Sequence, residues 1–203
     1  MSTNRSAARD HLLRRALQLS AISVGFSGVV GIVAVVVGLA LGRLSLLGFG
    51  FDSAVDSVAS VVLIWRFRIE SAEPHRAARA EHVAERVVGI VLLVLAAYLA
   101  ISSIQALLAG AHPEASGLGI GISVVSVLAL PPLALAKRRV ATALESGALR
   151  GDSSLTGLAA ILAAVSLLGF GLTELAGIAG ADAVGGLIVA AVMAREGFVT
   201  VRG

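Results

Sequence analysis

The segment "GFGFDSAVDSVASVVLIW", Gly48 to Trp65, contains two aspartates inside a strongly apolar run. Asp52 and Asp56 are four residues apart, so on a helix their side chains project from the same face. Each charged aspartate at the centre of a membrane helix costs about 2.5 to 3.5 kcal/mol on insertion scales. Such a cost indicates either that the pair has a function or that it lies near enough to the membrane surface to be solvated.

The composition around that segment is typical of a membrane protein. Hydrophobic residues make up 57% of the chain and charged residues only 14%, and the mean hydropathy is +0.94. A soluble domain of this length does not need so much apolar surface. Apolar windows of about 20 residues recur, which is the length that a helix needs to cross a hydrocarbon core. The sequence therefore predicts a polytopic membrane protein.

The apolar windows predict six transmembrane helices. They must be helices because an open sheet edge would leave backbone groups unpaired in lipid. The predicted spans are 17–42, 44–65, 87–110, 118–136, 153–175 and 182–201. We expect an all-α bundle forming a single transmembrane domain over residues 1–203. The expected connector after the second span is short and helical or irregular, and no soluble C-terminal domain is expected.

The distribution of positive charge predicts the orientation of the bundle. On this topology every Lys and Arg except Arg43 falls on one side of the membrane. The positive-inside rule then places both termini in the cytoplasm of a multi-pass protein of the cell (inner) membrane. Pro131 and Pro132 are expected to bend or end the fourth helix, which assigns Lys137 to the cytoplasmic residues beyond it.

Several function classes are disfavoured by residue type. The sequence pI is near 10.5, but the basic residues flank the spans, so anionic lipid headgroups are a simpler partner than nucleic acid. The chain has no cysteine, which excludes disulfides and thiolate metal ligands. All four histidines lie outside the predicted spans, and the serines within the spans have no histidine partner. We expect neither an enzyme nor a nucleic-acid-binding protein.

The aspartate pair has the chemistry of an exchangeable cation site. Two carboxylates on one helix face form half of a site for a hard or borderline divalent cation. In a low dielectric two neighbouring carboxylates do not both ionise easily, so the empty site should retain protons. A metal ion that binds would displace them. Competition between metal and protons for one site is the minimum machinery of a proton/metal antiporter.

The chain resembles the cation diffusion facilitator (cation efflux) family. The segment "GFGFDSAVDSVASVVLIWRFR" is similar to the family's second transmembrane helix, and "ALRGDSS" and "GADAVGGLIVAAVMAREG" resemble its fifth and sixth. The resemblance is closest to compact bacterial members that consist of the membrane domain alone. It implies a homodimeric carrier of zinc or a related divalent cation that works by alternating access, with Asp52 and Asp56 as metal ligands.

The fifth span departs from the family pattern. The family has a second pair of ligands there, and those positions fall on Leu155 and Ala159, which cannot bind a metal. Asp152, at the start of that span, is either a helix N-cap or a direct or water-mediated ligand. The candidate metal residues are thus Asp52, Asp56 and Asp152. An all-oxygen site should favour Zn²⁺ less strongly over Mn²⁺, Fe²⁺ or Co²⁺.

Two functions remain open on the sequence. The aspartate pair and the resemblance favour a divalent-cation transporter with proton-coupled antiport. The apolar residues at Leu155 and Ala159 favour a membrane metal-binding or regulatory protein that keeps the fold with an incomplete site. Metal-dependent flux separates the two, because a binder saturates without moving ions.

Overall fold

Six long helices and one short 3₁₀ turn make up the computed structural model of the chain. The structure describes residues 2–41, 44–110, 117–176 and 180–202, with side chains except at 2–8, 38, 40–41, 44–52, 118–119, 170 and 173–176. The helices are α1 (Ser2–Leu41), α2 (Leu44–Ala72), α3 (Ala77–Leu108), α4 (Gly117–Leu144), α5 (Gly147–Ala176) and α6 (Ala181–Arg202). The predicted all-α bundle is confirmed.

The outer surface of the bundle is apolar, as lipid requires. Among the described residues, five helices are long and apolar enough to cross a membrane. Large hydrophobic side chains such as Ile32, Leu128 and Ile188 are more than half exposed. In water this arrangement would be unfavourable, whereas hydrocarbon solvates these side chains. The chain is therefore a multi-pass membrane protein.

Small residues allow close contact between α3 and α6. A Cβ atom added at Gly89 would lie 2.8 Å from the backbone nitrogen of Val201 and 3.0 Å from the carbonyl oxygen of Gly197. The two backbones therefore pack against each other without intervening side chains, as is common between membrane helices. Next to this contact, an apolar core that includes Val88, Leu92 and Met193 fills the space inside the bundle.

The fourth helix does not end where the sequence predicts. Pro131 and Pro132 lie inside α4, which continues to Leu144. Termination at the two prolines is therefore a wrong prediction. Prolines are tolerated within membrane helices because neighbouring groups can satisfy the freed backbone carbonyls. As a result, Lys137 lies on a helix that packs against α5 and α1.

The connector between the second and third predicted spans is almost entirely helical. α2 extends to Ala72, a 3₁₀ turn covers Pro74–Arg76, and α3 begins at Ala77. Two buried ion pairs stabilise this extension. Arg66 forms a salt bridge with Glu70 at 2.5 Å and a second one with Glu81. The pairing explains how charged residues continue both helices beyond their apolar segments.

Candidate metal centre

Polar side chains from α1, α2, α4 and α5 meet inside the bundle and form what we call the central cluster. Its charged members are Asp56, Lys137 and Asp152. Its hydroxyl members are Ser23, Ser27, Ser60 and Thr156. Away from water such groups are stable only when they bind one another or a ligand. The cluster is therefore the natural place to look for a cation site.

Lys137 is the charged residue of the central cluster that was not predicted from the sequence as a site residue. Its side chain is 0% exposed, and its Nζ lies 2.6 Å from Oδ2 of Asp152. The ammonium also donates hydrogen bonds to Oγ of Ser23 at 2.6 Å and Oγ1 of Thr156 at 2.9 Å. Its three protons thus have three oxygen partners. The prediction that Lys137 belongs with the exposed cytoplasmic basic residues is wrong.

A signal for the burial of Lys137 exists in the sequence. Leu130, Lys137 and Leu144 are spaced seven residues apart, so they share one face of a continuous helix. All three are buried, whereas the adjacent Arg138 and Arg139 are exposed. This spacing predicts a buried Lys137 only if α4 is taken to continue as one helix through Pro131 and Pro132.

Asp152 is fully buried and does not cap its helix. α5 begins at Gly147, so Asp152 lies in its second turn. The first backbone donors of α5 are bound elsewhere: Leu149 donates to Oγ of Ser146 at 3.1 Å, and Ala148 donates to Oε1 of Glu81 at 2.9 Å. The N-cap interpretation of Asp152 is therefore wrong. The helix begins earlier because Ser146 supplies the cap.

Asp56 of α2 and Asp152 of α5 are linked through neighbouring residues of the cluster. Oδ2 of Asp56 accepts a hydrogen bond from Oγ of Ser27 at 2.5 Å, and its charge interacts with the charges of Asp152 and Lys137. Ser60, one turn after Asp56, donates to Oδ1 of Asp152 at 3.3 Å. Asp52 lies one turn before Asp56 on α2, and its side chain is outside the described residues.

Of the two family positions on α5, Leu155 is apolar in its surroundings as well as in its identity. Leu155 is buried in the core beside Val88 and Leu92. Ala159 is partly buried. The oxygen-bearing residues of α5 in the cluster are instead Asp152 and Thr156, which are also four residues apart. Helix α5 thus directs a carboxylate and a hydroxyl towards Lys137.

The donor set of the central cluster consists of oxygens and one ammonium. Among the residues whose side chains are described, no group of three or more His, Cys, Asp or Glu side chains is placed to hold a metal ion. When both aspartates are ionised, two aspartates and one lysine leave one excess negative charge, and four hydroxyls surround them. Carboxylate and hydroxyl oxygens suit a hard, partly hydrated divalent cation. The cluster can therefore attract a cation but does not form a complete protein cage for one.

Comparisons with known proteins agree with this architecture. The sequence model of the "Cation efflux transmembrane domain" matches residues 20–202. Transmembrane protein 163 of Xenopus laevis is 28% identical over 139 residues, which cover 68% of this chain and 49% of that protein. The chain spans about half the length of this curated relative. Because the family match covers nearly the whole chain, the protein belongs to the cation efflux family of multi-pass metal cation transporters.

Proposed function

We propose that the protein moves a divalent cation, zinc or a related ion, across the membrane through the central cluster in exchange for protons. The observation that supports this function best is that Asp56 from α2 and Asp152 from α5 belong to one polar cluster, in which Ser60, one turn after Asp56, donates to Asp152. Carboxylates on two separate helices can be brought together or moved apart by helix rocking. A cation bound between them is therefore linked to the conformation of the bundle.

The proposed ligands are Asp52, Asp56 and Asp152, with water completing the coordination. Asp52 is proposed because it precedes Asp56 by one helical turn on the same face. An oxygen-only set lacks the nitrogen and sulfur ligands by which proteins usually select zinc. We accordingly propose that Mn²⁺, Fe²⁺ and Co²⁺ compete with Zn²⁺ at this site.

Proton exchange follows from the ionisation state that a metal requires. A carboxylate must lose its proton before it binds a metal, so metal binding releases protons. Lys137 neutralises only one of the two aspartates of the cluster. The remaining carboxylate is costly to keep ionised in the bundle interior without a cation. Protons are therefore the natural substitute when the metal leaves.

Flux measurements test the proposed function directly. The native protein and its Asp52→Asn, Asp56→Asn and Asp152→Asn variants would be reconstituted in liposomes with an imposed pH gradient. Uptake of Zn²⁺, Mn²⁺, Fe²⁺ and Co²⁺ would be followed together with internal pH. We expect gradient-dependent uptake by the native protein and loss of uptake to the background rate in each variant.

The matched control is Asp182→Asn. Asp182 lies in the first turn of α6, on a helix that contributes none of the cluster's side chains. This substitution removes an aspartate from a membrane helix without changing the proposed ligands, so uptake should persist. Equal loss of uptake in Asp182→Asn and Asp56→Asn would contradict the assignment of the site.

The second candidate is a metal-binding or regulatory protein without transport. The apolar surroundings of Leu155 and the ion pair of Lys137 with Asp152 favour it. It predicts saturable metal binding by the reconstituted native protein with no flux of any of the four ions. Flux of even one ion under the gradient would exclude it.

We also propose that the single transmembrane domain works as a homodimer. This assembly is implied by the family resemblance, and the apolar outer faces of the helices would have to form its interface. Light scattering of the detergent-solubilised protein would give the mass of the particle. A mass of one chain at all protein concentrations would argue against the dimer.

A further inference from the structure

We propose that Lys137 is a tethered cation that competes with the transported metal for Asp152, and so sets a low affinity that allows release. The inference rests on the proposed function, because it assigns a role to a residue at the same site. It concerns the regulation of affinity and not the identity of the metal ligands.

The first step is that the Lys137 ammonium already occupies a cation-binding position. It is completely buried, and it contacts the carboxylate of Asp152 and the hydroxyls of Ser23 and Thr156. These three oxygens belong to two helices, α1 and α5, and Lys137 reaches them from a third, α4. A cation with oxygen ligands from several helices is what a transport site offers its substrate. Here the chain itself supplies that cation.

The second step is that the ammonium and a metal ion cannot both bind the same carboxylate oxygen. Nζ of Lys137 lies 2.6 Å from Oδ2 of Asp152. A divalent ion bound to that oxygen would lie at about 2.0 to 2.2 Å from it. Two cations so close repel each other strongly in a low dielectric. A metal that binds Oδ2 must therefore displace the ammonium, and a metal that binds the neighbouring Oδ1 is still repelled by it.

The third step is the consequence for release. An empty buried carboxylate is costly, and a site with only carboxylates would retain its metal tightly. When the metal leaves, the ammonium can return to Asp152 and remove that cost. Lysine suits this exchange because its charge is compact and its stem has four flexible carbons. The tethered cation thus favours release from Asp152 while Asp56 remains available to the next ion.

The first test is metal binding by the Lys137→Gln variant. Titration calorimetry with Mn²⁺ and Zn²⁺ on the full chain in detergent should show binding at least about tenfold tighter than that of the native protein, because the competing charge is gone. In liposomes, both the turnover number for metal transport and the KM for the metal should fall, because the tighter site releases the metal slowly. Lys137→Arg retains the competing charge on a bulkier planar group, so it should not show the tighter metal binding of Lys137→Gln.

The control for charge removal is Arg139→Gln. Arg139 is two residues from Lys137 on α4 and is exposed, so its loss changes the net charge of the protein equally. Its metal affinity should be that of the native protein. Equal tightening in Arg139→Gln and Lys137→Gln would overturn the proposal, because it would show a general electrostatic effect.

The second test does not depend on the folding of a lysine variant. Ser23→Ala removes one of the two hydroxyls that bind the ammonium and leaves the lysine in place. Loss of an oxygen near a metal site normally weakens metal binding, whereas loosening a competing cation strengthens it. We expect about threefold tighter binding, the effect of losing one modest hydrogen bond. The matched control is Ser20→Ala, because Ser20 is also buried on α1 and its Oγ has no hydrogen-bond partner among the residues that the structure describes.

The outcomes separate this inference from the proposed function. Metal binding that is tighter in Lys137→Gln and Ser23→Ala than in their controls supports the tethered cation. Native metal binding that requires Asp56 but is unchanged or weaker in both variants overturns the inference and leaves the proposed function intact. Absence of metal binding in the native protein and in every variant overturns both.

Discussion

Among the side chains that the structure describes, two groups of charges lie wholly or partly inside the bundle, and they differ in composition and balance. The arginine network consists of Arg9, Arg66, Glu70 and Glu81, so its two positive and two negative charges cancel. The central cluster pairs one lysine with two aspartates and has an excess negative charge. A balanced group needs no further ion, whereas an unbalanced group in the membrane interior does.

The buried cations of the two groups, Arg66 and Lys137, also differ in their chemistry. Arg66 contacts both glutamates, and its guanidinium lies 4.5 Å from the ring centroid of Phe67. Such a planar group with several donors is held in one orientation. The network joins α1, α2 and α3, and Glu81 extends it to Ser146 before α5. We infer that arginine holds helices together here, while lysine in the central cluster serves as an exchangeable charge.

The largest expected effect is loss of stability in Arg66→Gln. This substitution leaves Glu70 with only the half-exposed Arg9. It leaves Glu81 with hydrogen bonds from Ser146 and Ala148 but no cation. The cost should therefore approach that of breaking a buried ion pair, about 3 to 5 kcal/mol. Thermal unfolding in detergent would measure the change, with Arg68→Gln as control because Arg68 is exposed on the same helix. Equal unfolding temperatures for the two variants would contradict a structural role for the network.

The second prediction concerns the double variant Lys137→Met with Asp152→Leu. Replacing both partners of a buried pair by apolar residues is often neutral or stabilising by about 1 to 4 kcal/mol. We expect a folded protein at least as stable as the native one, measured by the same unfolding experiment, but without metal flux in liposomes. A double variant that unfolds like Arg66→Gln would show that the central cluster is also structural.

The smallest expected effect is that of Ser146→Ala. The hydroxyl of Ser146 accepts from the backbone of Leu149 and donates to Glu81. Loss of a helix cap costs about 0.5 to 2 kcal/mol. Unfolding should therefore shift modestly, while metal affinity by calorimetry should equal that of the native protein. A change in metal affinity without a change in stability would mean that the arginine network and the central cluster are coupled.

Hydropathy predicted the helical architecture because lipid leaves the backbone few options. The six predicted spans correspond in order to α1 to α6, although the described helices begin or end several residues away. The differences are largest where charged residues continue a helix, as at the start of α1, which begins at Ser2 and not at residue 17, and of α3, which begins at Ala77 and not at residue 87. Hydropathy marks the hydrocarbon segment of a helix, whereas salt bridges and caps decide where the helix itself ends.

The composition of the central cluster could be predicted only in part. Asp56 and Asp152 stood out as carboxylates in or beside apolar spans, and both lie in the cluster. Lys137 did not, because it stands next to Arg138 and Arg139 in a run typical of the cytoplasmic surface. Its buried position depends on α4 continuing through Pro131 and Pro132, which proline chemistry by itself argues against.

The sequence by itself determined that this protein is a helical membrane protein. A hydrocarbon surrounding turns each long apolar stretch into a helix, so local composition is sufficient for that conclusion. Only the tertiary structure decided that residues 56, 137 and 152 meet and that the charge at 137 points inward. Such a meeting depends on which helix faces pack together, and packing is a property of all the helices at once.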